Sequence, residues 1–150
     1  MLQIRRTNSE DADFVPLVRL LDADLAERDG DEHGFYAQFN KIAALKQVVV
    51  GYAEGQPVAC GAFKPFDENS VEVKRMYVLP EWRSRGLASE ILLELERWAG
   101  ELGFARCVLE TGKKQPEAIR LYQKAGYAII PNFGQYAGVE NSVCFEKNLI

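Results

Sequence analysis

The sequence predicts an α/β fold of the mixed α+β kind. It reads as a single domain over residues 1–150, with a central mixed, mostly antiparallel sheet of about six to seven strands and about four flanking helices. Three observations predict it. The β-rich runs Gln47–Tyr52 and Pro57–Phe63 are joined by Glu54-Gly55, a hairpin signal that implies antiparallel pairing. The run Val71–Leu79, a long amphipathic helix and the run Arg106–Thr111 form a strand–helix–strand unit, which implies parallel pairing through a right-handed crossover. A length of 150 residues suits one domain with a real core.

The elements follow in order. Gln3 to Arg6 alternates and reads as a first strand. Ser9 and Asp11 offer N-cap oxygens to a helix whose apolar residues Phe14, Leu17, Val18, Leu21 and Leu25 recur at helical spacing, ending near Gly30. A weaker helical patch carries Phe35, Tyr36, Phe39 and Ile42. After the hairpin, Asp67 to Ser70 is a turn and Val71 to Leu79 a strand stopped by Pro80. Leu87, Ile91, Leu95, Trp98 and Leu102 then form one helical stripe, with Gly103 just past its end. Arg106 to Thr111 is a strand. Pro116 suits the first turn of a helix and Gly126 its exit, with Ala118, Leu121, Tyr122 and Ala125 along one face. Tyr127 to Ile130 and Ser142 to Lys147 read as the last strands, with a polar, aromatic loop between them.

Composition removes several classes of function. A net charge of −4 argues against general nucleic-acid binding, which needs a basic field. Cys60, Cys107 and Cys144 are odd in number, widely spaced and set in apolar runs, so they read as reduced core thiols of a cytoplasmic protein, not as a disulfide frame or zinc site. The N-terminus does not read as a signal peptide, and no stretch approaches a membrane span. His33, the only histidine, stands in a charged loop and reads as solvated. No metal site is expected.

The segment Arg83-Ser84-Arg85-Gly86-Leu87-Ala88 lies between a strand and a long helix. The first amides of a helix lack intrahelical partners and the helix dipole favours negative charge there, so an anion can be bound. Gly86 and Ala88 keep the approach open, and Arg83 and Arg85 supply charge. The pattern alone arises by chance in roughly one chain in six of this length; its place between strand and helix makes it informative. Thr111-Gly112-Lys113-Lys114 fails as a P-loop, and no dinucleotide fingerprint is present. Lys113 and Lys114 read either as contacts to a nucleotide phosphate or as a solvated loop.

Two phrases together resemble the GCN5-related N-acetyltransferase (GNAT) family. Glu72-Val73-Lys74-Arg75-Met76-Tyr77-Val78-Leu79-Pro80-Glu81-Trp82-Arg83-Ser84-Arg85-Gly86-Leu87-Ala88 is similar to its fourth strand and pyrophosphate loop. Ala118-Ile119-Arg120-Leu121-Tyr122-Gln123-Lys124-Ala125-Gly126-Tyr127 is similar to its later helix. The resemblance implies a fold whose fourth and fifth strands are a parallel, splayed pair that admits the pantetheine arm. It implies acetyl-CoA as co-substrate and transfer to an amine. The cofactor would be held by Met76, Tyr77, Val78, Arg83, Ser84, Arg85, Gly86, Leu87, Ala88, Ser89 and Gln115, with backbone groups of Met76 and Val78 facing the arm. Gln115 stands where the family often has Asn.

The chemistry needs a neutral amine, oxyanion donors and a partner for the leaving thiolate. The resemblance implies Tyr122 as the group that donates to the sulfur and Glu72 as general base, directly or through a water. The residues alone leave two readings open for each: Tyr122 also fits the apolar stripe of its helix, and Glu72 also fits a strand residue paired with Lys74. The acceptor is expected to be a small-molecule amine, or a lysine or N-terminal amine of a protein, with no nucleic acid or membrane partner and a homodimer as one assembly. Its pocket is expected around Phe35, Tyr36, Phe39 and Asn40 and in the loop with Asn132, Phe133, Gly134 and Tyr136. Asp22, Asp24, Glu27, Asp29, Asp31 and Glu32 crowd the first region, a field that suits a cationic acceptor. A non-catalytic acyl-CoA-binding module and a transferase of a larger acyl group are the alternatives.

Overall fold

A computed structural model describes residues 2–30 and 45–149 of the chain. The helical patch with Phe35 and Ile42, His33 and the acidic residues Asp31 and Glu32 lie outside the described residues. Among the described residues, seven strands are hydrogen-bonded in the order β1-β2-β3-β4-β5-β7-β6. Contacts divide the chain into two compact units, residues 1–64 with 73–95 and residues 65–72 with 96–150.

The first unit holds β1 (Gln3–Thr7), α1 (Phe14–Asp29), β2 (Gln47–Ala53) and most of β3 (Gln56–Pro65). It also takes most of β4 (Ser70–Val78) and the start of α2 (Leu87–Glu101). β1 pairs antiparallel with β2, and β2 antiparallel with β3. Glu54 (φ 53°) and Gly55 (φ 79°) both take left-handed backbone, which a two-residue hairpin turn needs to follow the strand twist. Alternation along the strands sorts two faces. Val48, Val50, Cys60, Ala62 and Tyr77 pack with Phe14, Leu17, Val18 and Leu21 of α1. Gly51 and Gly61 meet α2 instead. A methyl group on Gly61 would stand 2.6 Å from Met76 Sδ and 2.9 Å from both Ile91 and Leu95.

Two local expectations change here. Asp11 caps α1, its Oδ1 accepting from the amides of Asp13 (2.8 Å) and Phe14 (3.3 Å). Ser9 does not cap. Its hydroxyl accepts from the Leu45 amide (3.0 Å) and its own amide donates to the Leu45 carbonyl (2.9 Å), so its oxygen is already committed to the chain entering β2. On α2 the buried stripe is Leu87, Ile91, Leu92, Leu95 and Ala99. Leu102 is 50% exposed, because the helix ends at Glu101 and the chain turns out through Gly103 (φ 94°).

The second unit holds β5 (Arg106–Gly112), α3 (Pro116–Lys124), β6 (Ala128–Ile130) and β7 (Ser142–Asn148). β4 enters it as residues 70–72, which pair in parallel with β5 from Ser70↔Arg106 to Glu72↔Val108. β5 and β6 both pair antiparallel with β7. Three α-helices are thus present among the described residues. The mixed, mostly antiparallel sheet with one parallel pair matches the fold that the sequence predicts.

Candidate active site

In the first unit, β4 leads through a short 3-10 turn, Pro80–Trp82, into the loop and α2. Ser84 (φ 65°) and Gly86 (φ 79°) are both left-handed, so the loop reverses twice before the helix begins. At Gly86 the conformation is the reason for glycine, since a Cβ there would meet nothing within 4 Å. The helical ladder starts when the Glu90 amide donates to the Gly86 carbonyl (3.2 Å). The amides of Leu87, Ala88 and Ser89 precede that ladder, and a helix leaves such amides free to meet an anion. The space beside Gly86 and these amides fit a phosphate group.

The two loop arginines both have neighbours within the first unit. Arg83 Nε donates to the Val78 carbonyl (2.9 Å), its guanidinium lies 5.4 Å from the Tyr77 ring centroid, and Nη2 is 3.7 Å from Asp24. Arg83 therefore braces the end of β4 against α1. Arg85 lies over the Trp82 ring (4.7 Å) and stays on the loop. Tyr77 is in the α1 core, and Met76 extends to the opposite face beside Gly61. Both side chains are thus used in packing.

The second unit gathers a different set. Glu72 is 3% exposed, although it is a carboxylate, and stands at the last position where β4 pairs with β5. Tyr122 is the buried residue of α3, 7% exposed, with its ring against Tyr127 (5.9 Å, edge-on) and Phe145 (5.8 Å). Burial, and after it the charge of Glu110, pushes the Tyr122 phenol well above its usual range. Tyr136 responds in the same direction to burial, then to Glu110 and Glu72. Glu110 Oε2 accepts a hydrogen bond from Ser142 Oγ (2.7 Å). Tyr122, Glu110, Tyr136 and Glu72 thus form a run of electrostatic neighbours. Gln115 is the N-cap residue of α3, and its side chain does not cap the helix. Lys113 and Lys114 are exposed.

The aromatic loop between β6 and β7 is partly structural. Asn132 Nδ2 donates to the carbonyls of Val139 (2.9 Å) and Ser142 (3.1 Å), which fixes the loop on itself. Phe133 packs edge-on against Phe66 (4.9 Å) and Tyr136 (5.9 Å). Phe35, Tyr36, Phe39 and Asn40, the other half of the expected acceptor region, lie outside the described residues. The acidic field changes as well. Asp22 Oδ1 accepts from Arg75 Nη1 (2.9 Å), and Asp24 faces both Arg28 (3.4 Å) and Arg83 (3.7 Å).

Sequence reasoning missed Glu110 and Arg75. The signal for Glu110 is a carboxylate directly after the apolar run Cys107 to Leu109, within a strand. Arg75 falls in alternation with Val71, Val73 and Tyr77, all buried. Its side chain is 3% exposed, and Nη2 has no hydrogen-bond partner among the described residues. An unsatisfied buried donor costs about 1–3 kcal/mol. Arg75 also has φ 61°, a left-handed backbone inside a strand that costs a further ~1–3 kcal/mol.

A family model described as the acetyltransferase (GNAT) family matches residues 14–127. An IAA acetyltransferase of Azospirillum brasilense is 36% identical over 147 residues, covering 97% of this chain and 95% of that protein. An uncharacterized N-acetyltransferase of Escherichia coli (strain K12) is 40% identical over 82 residues, 53% of this chain and 48% of its own, so the match spans about half the length of that relative. A solved structure from Klebsiella pneumoniae, assigned there to the acyl-CoA N-acyltransferases, superimposes with a TM-score of 0.84 at 29% identity, covering 100% of this chain and 99% of that one. A GNAT family acetyltransferase from Elizabethkingia anophelis, crystallised with acetyl-CoA bound, shares the fold at a TM-score of 0.70 and 16% identity, over 98% of this chain and 97% of that one.

Proposed function

The chain belongs to the GNAT acetyltransferase family, and from that premise we propose that it transfers an acetyl group from acetyl-CoA to a primary amine by direct attack in a ternary complex. The domain that does so is residues 1–150, working in the cytoplasm, where its three buried thiols stay reduced. The observation that carries the reading is the loop before α2, where free amides at Leu87 to Ser89 follow a left-handed Gly86 with open space beside it. Acetyl-CoA, bound in the Elizabethkingia neighbour, is the anion-bearing co-substrate carried over to this loop.

The loop amides and Arg85 hold the pyrophosphate, Gln115 adds a polar contact, and backbone groups of Met76 and Val78 receive the pantetheine arm as an added strand would be received. An amine attacks only when neutral, and an ordinary lysine-like amine has a pKa of about 10.4. Glu72 takes that proton, directly or through a water. Tyr122 donates a hydrogen bond to the sulfur as the thiolate leaves. Burial and Glu110 keep its phenol protonated, so it serves as a neutral donor throughout. Full proton transfer to the thiolate is uphill by about 2 kcal/mol from ordinary values, and the raised phenol makes it more so.

Binding is tested first. A ligand at 100 times its dissociation constant adds about 2.7 kcal/mol, which for a domain of this size raises Tm by roughly 5–10 °C. Free CoA is expected to produce such a shift. No shift at millimolar CoA would overturn the assignment of the loop.

A further inference from the structure

We infer that Arg75 is a receptor for a carboxylate on the acceptor, so that the amine acetylated by this enzyme also carries an acidic group. The inference rests on the reading of the chain as an amine acetyltransferase and deepens it.

The guanidinium is a flat donor with N–H groups on three nitrogens, suited to a carboxylate. In Arg75, Nη1 is engaged by Asp22 at 2.9 Å, while Nη2 has no partner among the described residues although the side chain is 3% exposed. Buried polar groups are nearly always hydrogen-bonded, so a donor left open calls for a water, an ion or a ligand. The backbone of Arg75 adds a second observation. Its φ of 61° is a conformation that L-residues rarely adopt, and it interrupts an otherwise extended strand. Strained residues of this kind gather at binding sites.

The surroundings favour an anion. At this end of α1, two carboxylates (Asp22 and Asp24) face three guanidiniums (Arg75, Arg28 and Arg83). Within these ion pairs the guanidiniums outnumber the carboxylates, in a chain whose net charge is −4. Asp22 is the way in. Its side chain is 44% exposed where it meets Arg75, so the ion pair reaches from solvent to the buried guanidinium. Nη2 has no accessible surface while that pair is intact, so a substrate carboxylate reaches the guanidinium as the half-exposed Asp22 side chain turns aside. An ordered water on Nη2 is the competing occupant, and it would give no preference for acidic amines.

The test compares matched acceptors, α-amino acids and the amines formed by removing their carboxylate, by thiol release from acetyl-CoA. The wild-type enzyme is expected to show at least tenfold higher kcat/KM for the amino acid of a pair at pH values where both amines are equally ionised. Arg75→Met, which leaves Asp22 half in water, is expected to lower that ratio at least tenfold, mainly through KM of the acidic substrate. Asp22→Asn, which frees Nη1 as well, is expected to raise the ratio. The CoA-dependent thermal shift of each variant reports that it is folded. A wild-type preference for the decarboxylated amine, or an Arg75→Met loss equal for both members of a pair, overturns the inference. Absence of turnover with every amine overturns the acetyltransferase reading itself.

Discussion

At the scale of single residues, the proposed transfer turns on Tyr122. Its position in the apolar stripe of α3 fits a core residue equally well, and its ring contacts with Tyr127 and Phe145 are core contacts. The hydroxyl is the part that matters for chemistry. Replacing it by hydrogen removes one donor and leaves the ring packing in place. Tyr122→Phe is therefore expected to lower kcat at least tenfold while the CoA thermal shift persists; a turnover near wild type would remove Tyr122 from the mechanism. Arg83 teaches a different lesson. From sequence it is a cation in a phosphate loop, and in the structure its Nε also holds the Val78 carbonyl. A motif shows which side chains are present and cannot show which backbone group each will find.

At the scale of elements, much was legible. Period-two and helical patterns located β1 to β7 and the described helices within a residue or two, because most of them carry an apolar run or face; β1 and β6 are largely exposed. The turn at Glu54-Gly55 was legible because a two-residue hairpin admits few residue types. Two things were not. The end of α2 depends on where Gly103 turns the chain, so the apolar Leu102 joined a stripe that in fact closes at Ala99. The closeness of α2 to the sheet depends on Gly61, and a glycine in a strand says only that something approaches. Gly61→Ala is expected to destabilise the protein by about 1–3 kcal/mol, because the new methyl would meet Met76, Ile91 and Leu95 at 2.6–2.9 Å. Thermal unfolding measures it, and an unchanged Tm would mean that α2 can move away from the strand freely. Met76 is the most compliant of the three neighbours, so the double variant Gly61→Ala with Met76→Ala should recover part of the loss.

For the whole molecule, the family was legible from two short phrases, Glu72 to Ala88 and Ala118 to Tyr127, because the loop and the later helix each fix residue types at close spacing. The acceptor was not. It is chosen by side chains that long-range folding brings together, such as Arg75 with Asp22, 53 positions apart in the chain. Counting acidic residues along α1 suggests a cationic acceptor, and the count does not show that Asp22 and Asp24 are paired with Arg75, Arg28 and Arg83. Composition reports charges before they are paired, and only the fold reports what remains afterwards.

The central claim is that acetyl-CoA and a primary amine react on this protein. Amine-dependent release of CoA thiol, followed across a panel of amines and matched to the N-acetylated product by mass, tests it most directly. The account predicts release that requires both the amine and Tyr122. A protein that binds CoA but releases no thiol with any amine, or releases it at a rate independent of amine, would contradict it.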